Sequence, residues 1–405
     1  MKDFNIQYKN EVQPELIAVH ALNRFTAQNS AARCVMFGGQ FAQRPVIDGS
    51  EPRINLTGVE EEFGRFTFSV KMPEDGTVIS VMTKHGHVNT VRGKQAPPET
   101  LVIYQSHETG AFGCFTIPYY CSYDPVFGFK YEIKDNVRML SPGMDIPKDT
   151  IFADSPAVKG ESHYTYSKNL NLAYMSHSNV GLDGFVIARD VLPYFKFRLY
   201  EKRVIETGGN NFLLNLYGNN EVYQPLPHIG EYVKENGLLA AIRKFDSMMA
   251  PAQMSVRDTQ IPDYHFDEPI FARPGKGKIV DITVYESPNV SRALPEEMTE
   301  QIRYYHQSSV QFYREVMRFY NTEAGKSRRA GRNGFVPMTN ELKEVVHTAM
   351  GITANADATD TRQLLSYTHK NKPIENWRIE VVIEYEVTPD VGYKLSCEHG
   401  GFKLS

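Results

Sequence analysis

The chain has 405 residues, 41% of them hydrophobic and 23% charged, with a formal net charge of −4. That length supports two or three compact units, and the residue usage excludes a dominant collagen-like, disordered or coiled-coil form. No apolar run reaches the roughly 18–20 residues that cross a bilayer, and Met1-Lys2-Asp3-Phe4-Asn5 lacks the apolar stretch of a signal peptide. Mild acidity gives no global attraction for nucleic acid, although a basic patch can sit on an acidic protein. Cys34, Cys114, Cys121 and Cys397 follow no zinc-ligand spacing and are expected to be thiols.

A helix is expected from about Val12 to Ala32, with Pro14 restricting its start to the neighbourhood of Glu15. Strand signals then dominate the first half of the chain. Residues 77–82, 100–104 and 169–175 are short apolar or alternating runs between Gly, Pro and Asp clusters. After Gly218 the character changes, and residues 225–246 read as a small β unit. Residues 277–286 read as a strand with Val280, Ile282 and Val284 on one face.

A helical hairpin is expected over residues 294–350. Within 296–320, Ile302, Tyr305, Phe312, Val316 and Phe319 recur at helical spacing, and 340–350 makes the return. A glycine-rich basic loop, residues 325–332, is expected between the helices. The strongest strand signal is residues 378–387. Ile379, Val381, Ile383, Tyr385 and Val387 share one face, with Arg378, Glu380, Glu384 and Glu386 mostly opposite.

That strand runs into Thr388-Pro389-Asp390-Val391-Gly392-Tyr393-Lys394. A strand ending at a Pro/Gly turn can hold a lysine as a fixed charge for phosphate oxygens, and glycines let backbone approach a polynucleotide closely. Taken alone, Lys394 reads better as a surface lysine after an edge strand. Asp183 before Gly184 fits a simple turn, and Arg24 fits a solvated helix residue. The pair His85 and His87, without a nearby third ligand, reads as loop residues rather than a metal site.

In order along the chain, these segments resemble landmarks of the beta subunit of multisubunit DNA-directed RNA polymerases. The family's lysine motif is Pro-Gly-Asp-Lys, two small or apolar residues, then Gly-Arg-His-Gly-Asn-Lys-Gly. Gly392, Lys394, His399 and Gly400 match it in register. Tyr393 stands for the aspartate, Cys397 for a glycine, Glu398 for the arginine and Gly401 for the asparagine. Phe402 falls where the second lysine is expected, with Lys403 one place later.

Upstream, residues 148–156 resemble the Gly-Asp-Val-Leu-Ala-Asp-Gly segment, and 169–175 the strand entering the active site. Residues 181–188 resemble Phe-Glu-Asp-Ser-Ile-Leu-Val-Ser, with Asp183 at the second acidic position and Leu182 replacing the first. Residues 226–233 and 237–239 resemble the start of the flap, and 278–284 its Gly-Thr-Val-Ile-Asp-Val-Gln-Val strand. Asn23-Arg24 and Arg33 fit the family's Asn-Arg and the arginine that follows it. The likeness is collinear from about residue 20 to residue 401.

The resemblance implies an α+β, mainly β fold: an incomplete double-psi β-barrel portion plus a β-rich flap domain with the helical hairpin. Residues 1–215 would contribute to the active-site barrel and 216–377 would form the flap-like domain. Residues 378–405 would return to the active site with a truncated lysine motif. It implies one wall of a nucleotidyl-transfer site and the RNA-exit flap, active only inside a complex.

The implied catalytic residues are Lys394, Asp183 and Arg24. Lys394 would contact phosphates near the RNA 3′ end, and Asp183 would approach the second Mg2+ through water. Arg24 would grip the triphosphate, where a planar guanidinium holds two oxygens. Lys394, His399 and Arg33 are the implied nucleic-acid contacts. Mg2+ would be held mainly by a beta-prime-like partner, with no metal bound directly by this chain. The implied partners are beta-prime-like and other beta-like subunits, DNA template, RNA product and nucleoside triphosphates, with no membrane.

The extent of the match resembles the split beta subunits of large bacteriophages. It implies a C-terminal-half segment, incomplete at its own C-terminus, in the cytoplasm of an infected bacterial host or in the virion. Two other readings stay open. One is a phage structural protein without nucleotide chemistry. The other is a nucleic-acid-binding accessory factor that keeps the basic loop and is indifferent to Lys394→Ala.

Overall fold

The computed structural model describes residues 18–25, 28–42, 44–54, 56–65, 68–85, 98–122, 128–160, 162–173, 175–178, 184–208, 211–244, 256–287, 294–357, 368–369, 372–373, 376–397 and 400–404. Among them more lie in strands than in helices, so the fold is mixed α+β with the larger share in strands, and one sheet curls into half a barrel. No described helix is long and apolar enough to cross a membrane.

The N-terminal region departs from the single helix expected over 12–32. Its described part is a 3₁₀ segment, Ala18–Leu22, then a turn, then α1 (Ala31–Ala42). Side chains that compete with helical hydrogen bonding account for the break. The Asn23 side-chain oxygen accepts the Phe25 N–H at 2.9 Å. The Ser30 hydroxyl accepts the Arg33 N–H at 3.4 Å, where an N-cap bond falls.

Strands β1 (Gly76–Thr83), β2 (Glu99–Ser106) and β3 (Phe112–Pro118) form an antiparallel meander, with Asp145–Ile146 paired to β1. Period-two alternation sorts their residues between two cores. Met82, Leu101, Ile103, Phe112 and Cys114 face one core, while Val78, Val102, Tyr104 and Ile117 face another. Residues 169–175, expected as a strand, are irregular where described. Leu170 and Leu172 are exposed there, and the Asn169 side chain bonds instead to the backbone at Pro52 and Ile54.

The chain continues through β4 (Phe197–Thr207), β5 (Asn211–Leu213), β6 (Leu238–Lys244), β7 (Glu268–Phe271) and β8 (Lys278–Glu286). Strands β5, β6 and β7 make a small antiparallel sheet in that order. A helical hairpin follows, α2 (Glu296–Arg329) and α3 (Asn340–Asp357), and then β9 (Trp377–Val387).

Helix α2 continues through Gly325, beyond the end expected near residue 320. An interior glycine costs only about 1 kcal/mol relative to alanine, and the flanking Phe319 and Ala324 are buried. The stop comes at Gly331, with φ +75°. Arg332 N–H donates to Ser327 O and Gly331 N–H to Arg328 O, the paired bonds of a Schellman end.

At roughly 50 Å, α2 is long enough to serve both large sheets. Ile302 and Tyr305 join the core of the β8–β9 region, whereas Phe312, Val316, Phe319 and Ala324 join the meander core with Leu342, Val346 and Ala349 of α3. The hairpin therefore lies along the body for most of its length.

Where α2 passes between the sheets, His85 is buried rather than a free loop residue. Its ring contacts Ser308 Oγ (2.8 Å) and Ile282 O (3.0 Å), with its edge against Tyr305. Beside it, Lys84 Nζ lies 3.0 Å from Asp281 Oδ2. Burial alone would raise the Asp281 carboxyl, but the His85 ring nitrogen 3.6 Å from its Oδ1 and the Lys84 charge outweigh it and hold it low.

The central sheet has the order β4-β9-β8, and every residue of β9 pairs with β4, from Phe197↔Val387 to Thr207↔Trp377. It draws one strand from each of the three expected segments. Ile379, Val381, Ile383 and Tyr385 are buried on one face, in agreement with their alternation. The opposite face, which its charges would mark as solvated, is covered as well: Val382 packs with Tyr119, Tyr200 and Val280. Arg378 and Glu384 are only 5% and 6% exposed.

Buried charges persist where they are paired. Arg198 bonds both Asp48 and Glu384, and the Tyr200 hydroxyl donates to Glu384 at 2.9 Å. Burial and the adjacent Glu384 raise the Tyr200 pKa, so the hydroxyl stays a donor.

Candidate functional site

β9 delivers the chain to the site through one turn. Tyr393 N–H donates to Asp390 O at 3.0 Å, and Gly392 takes φ +89°, a conformation that other L-residues adopt at a cost. Tyr393, at the position of the family's aspartate, is partly buried against the central core. Its ring centroid lies 5.9 Å from that of Phe197. The turn is thereby fastened to the sheet that precedes it.

Two short strands follow, β10 (Lys394–Cys397) and β11 (Gly400–Leu404). They pair antiparallel with the register Lys394↔Lys403, Leu395↔Phe402, Ser396↔Gly401 and Cys397↔Gly400. The two-residue strand Gly184–Phe185 pairs parallel with β11, with Gly184↔Lys403. The order across this small sheet is Gly184–Phe185, β11, β10. Gly184 and Lys394 are thus two strand spacings apart, roughly 10 Å between backbones.

Helix α1 packs against both β10 and β11, and the Ala18–Leu22 segment packs against α1. Arg33 is exposed in the first turn of α1. Arg24 is exposed on the turn after Ala18–Leu22, with its guanidinium 5.0 Å from the Phe25 ring centroid. The fold therefore gathers the Lys394 strand, the segment that follows Asp183 and the helix bearing Arg33. Arg24 belongs to the next element out. Asp183 and His399 themselves lie outside the described residues, and for Lys394 and Lys403 the described geometry is that of the backbone.

The register also singles out a residue that motif spacing set aside. Lys403, one place beyond the family position, is the direct partner of Lys394. Glu398-His399 is not a hairpin dipeptide, so the sequence carried no turn signal for this pairing. Lysines are not metal ligands at neutral pH, and among the described residues no group of three or more His, Cys, Asp or Glu is placed to hold a metal ion.

Fold and site together define a mixed α+β protein in which a lysine-bearing β-hairpin meets the distant strand Gly184–Phe185 and helix α1. No protein-family model matches the chain, and no curated protein matches it.

Proposed function

We propose that this chain is a C-terminal-half segment of the beta subunit of a multisubunit DNA-directed RNA polymerase. It forms one wall of the nucleotidyl-transfer site and the RNA-exit flap, and it acts only with partner subunits. The observation that carries this reading is the small sheet of Gly184–Phe185, β11 and β10 with α1 against it. Segments resembling three separate landmarks of the family meet there, although they are far apart in sequence. A purely structural protein has no chemical need to join them.

In this reading Lys394 is a point charge on the phosphates near the RNA 3′ end and the incoming nucleotide. Lys403, its register partner, adds a second charge to the same wall. Asp183 approaches the second Mg2+ through water, Arg24 grips the triphosphate, and Arg33 and His399 line the nucleic acid. Mg2+, held mainly by a beta-prime-like partner, supplies stabilisation of the attacking and leaving oxygens when bound. The residues of this chain position the substrate and offset the charge that develops on it.

The half-barrel curl supports a double-psi barrel portion that other polypeptides complete. Among the described residues β4 and β8 are the outer strands of the central sheet; the start of β8 bonds residues 230–233, and the rest of these edges invites pairing with another chain. The expected setting is the cytoplasm of an infected bacterial host, or the virion.

Affinity purification of the tagged chain from infected cells, followed by mass spectrometry, tests the assignment. Co-recovery of a beta-prime-like chain bearing an aspartate triad is expected. Recovery as a partnerless monomer, or only among structural virion proteins, contradicts it.

A further inference from the structure

We infer that the turn leading into β7 is a docking surface for a protein segment bearing apolar and basic side chains. The surface belongs to the β5–β6–β7 sheet and does not rest on the polymerase reading. Three large apolar side chains stand exposed within this one turn: Ile261 (74%), Tyr264 (60%) and Phe266 (81%). Scattered exposed apolar residues are ordinary, but grouped ones mark interaction sites.

The backbone that carries them is fixed by a buried ion pair. The Asp267 side chain is fully buried, and Arg243 grips it with two bonds, Nε to Oδ1 and Nη2 to Oδ2, at 2.7 Å each. Asp267 Oδ2 also accepts the Asp263 N–H at 2.7 Å. Asp263 O accepts the N–H groups of Phe266 (3.0 Å) and Asp267 (2.8 Å), and Asp263 Oδ1 accepts that of His265 at 3.0 Å.

Arg243 Nη1 donates to Asp258 O at 3.1 Å, which ties the helical turn Val256–Gln260 to the same pair. None of these bonds uses the Tyr264 or Phe266 ring. Both rings are thus presented by a preorganised turn, and little conformational freedom is lost when a partner covers them.

Charge selects the occupant. From Asp258 to Glu268 the sequence holds four carboxylates and no Lys or Arg. Arg243 neutralises Asp267, which leaves Asp258, Asp263 and Glu268, all exposed. Lys244, which ends the neighbouring strand β6, supplies one exposed positive charge against these three. Such a rim repels a phosphodiester backbone or an anionic lipid surface. A second copy of the chain would bring the same carboxylates face to face across a two-fold contact. A basic segment gains from the rim, while its apolar side chains cover the rings.

The test is fluorescence anisotropy of the full-length chain with a labelled amphipathic Leu/Lys peptide and with the Leu/Glu peptide of the same pattern. The Leu/Lys peptide is expected to bind, and the Leu/Glu peptide about tenfold more weakly or worse. Replacing Tyr264 and Phe266 together by alanine should raise the Leu/Lys Kd by about tenfold or more. The pair D263N/E268Q keeps both rings and the Asp263 acceptor oxygen, and should flatten the salt dependence of binding.

Both rings are exposed, so the alanine variant should melt at the wild-type midpoint by circular dichroism. A Leu/Lys peptide that does not bind, or a folded alanine variant that binds it unchanged, overturns the surface. An unaltered salt dependence in D263N/E268Q overturns the role of the rim. A Leu/Glu peptide or a single-stranded RNA bound as tightly, with the same sensitivity to the alanine pair, overturns the assignment to a basic protein segment. Dimerisation of the chain that the alanine pair abolishes replaces that segment with a second copy and overturns it too. None of these readouts requires nucleotide addition, so this proposal and the polymerase proposal fail separately.

Discussion

On the proposed function, replacing Lys394 by alanine in the assembled complex is expected to slow nucleotide addition on the order of 10²–10³-fold, with the thermal midpoint unchanged. The magnitude is that of removing one preorganised charge from a site where charge develops in the transition state. The unchanged midpoint follows from the backbone. β10 is held by its register with β11, and the turn before it by the Tyr393 N–H bond and the Tyr393 ring, none of which uses the lysine side chain. Lys394→Arg keeps the charge and should recover part of the rate. Single-nucleotide extension of a primer–template scaffold measures both variants. A full rate for the alanine variant removes Lys394 from the chemistry, and a rate lost together with the fold makes it structural.

The second large effect is on stability. Trp377 is the one tryptophan of the chain, is 2% exposed and opens β9 in the central core. It faces Thr207 of β4 on one side and Glu286 of β8 on the other. Trp377→Ala is expected to cost roughly 3–5 kcal/mol. A typical domain has only about 5–15 kcal/mol to lose. Because β9 leads directly into the Gly392 turn, the loss should also loosen the hairpin that carries Lys394. Denaturant unfolding followed by far-ultraviolet circular dichroism reads the midpoint without needing the indole. Trp377→Phe should restore most of it, and an alanine variant with an unshifted midpoint would remove Trp377 from the joint between the three strands.

Elements whose pattern answers to one dominant force were legible in the sequence. Ile379, Val381, Ile383 and Tyr385 alternate because one face of β9 is core, and Ile302 to Phe319 recur every three or four residues because one stripe of α2 is core. The stop of α2 at Gly331 was not legible, since the helix was expected to end near residue 320. What escaped depends on partners distant in sequence. Arg378 and Glu384 signal a solvated face until Arg198, Tyr200 and Glu206 are placed beside them. Asn23 and Ser30 interrupt a helix through local bonds that periodicity does not register. The alternating Leu170 and Leu172 suggested a strand, yet both are exposed in irregular backbone.

The candidate site was legible in the same partial way. The Gly392 turn and the lysine beyond it could be read from the chain itself. The pairing of Lys394 with Lys403, and of Gly184 with Lys403, is a matter of strand register. Register is set by contacts between segments, so motif spacing passed over Lys403.

The most direct measurement is photo-crosslinking from the RNA 3′ end in the assembled complex, read by peptide mass spectrometry. A photoreactive 3′-terminal nucleotide should label this chain within residues 394–404 or beside Gly184, and the label should need template and metal. Labels confined to other parts of the chain, or to partner subunits alone, would contradict the placement of this hairpin at the growing end of the transcript.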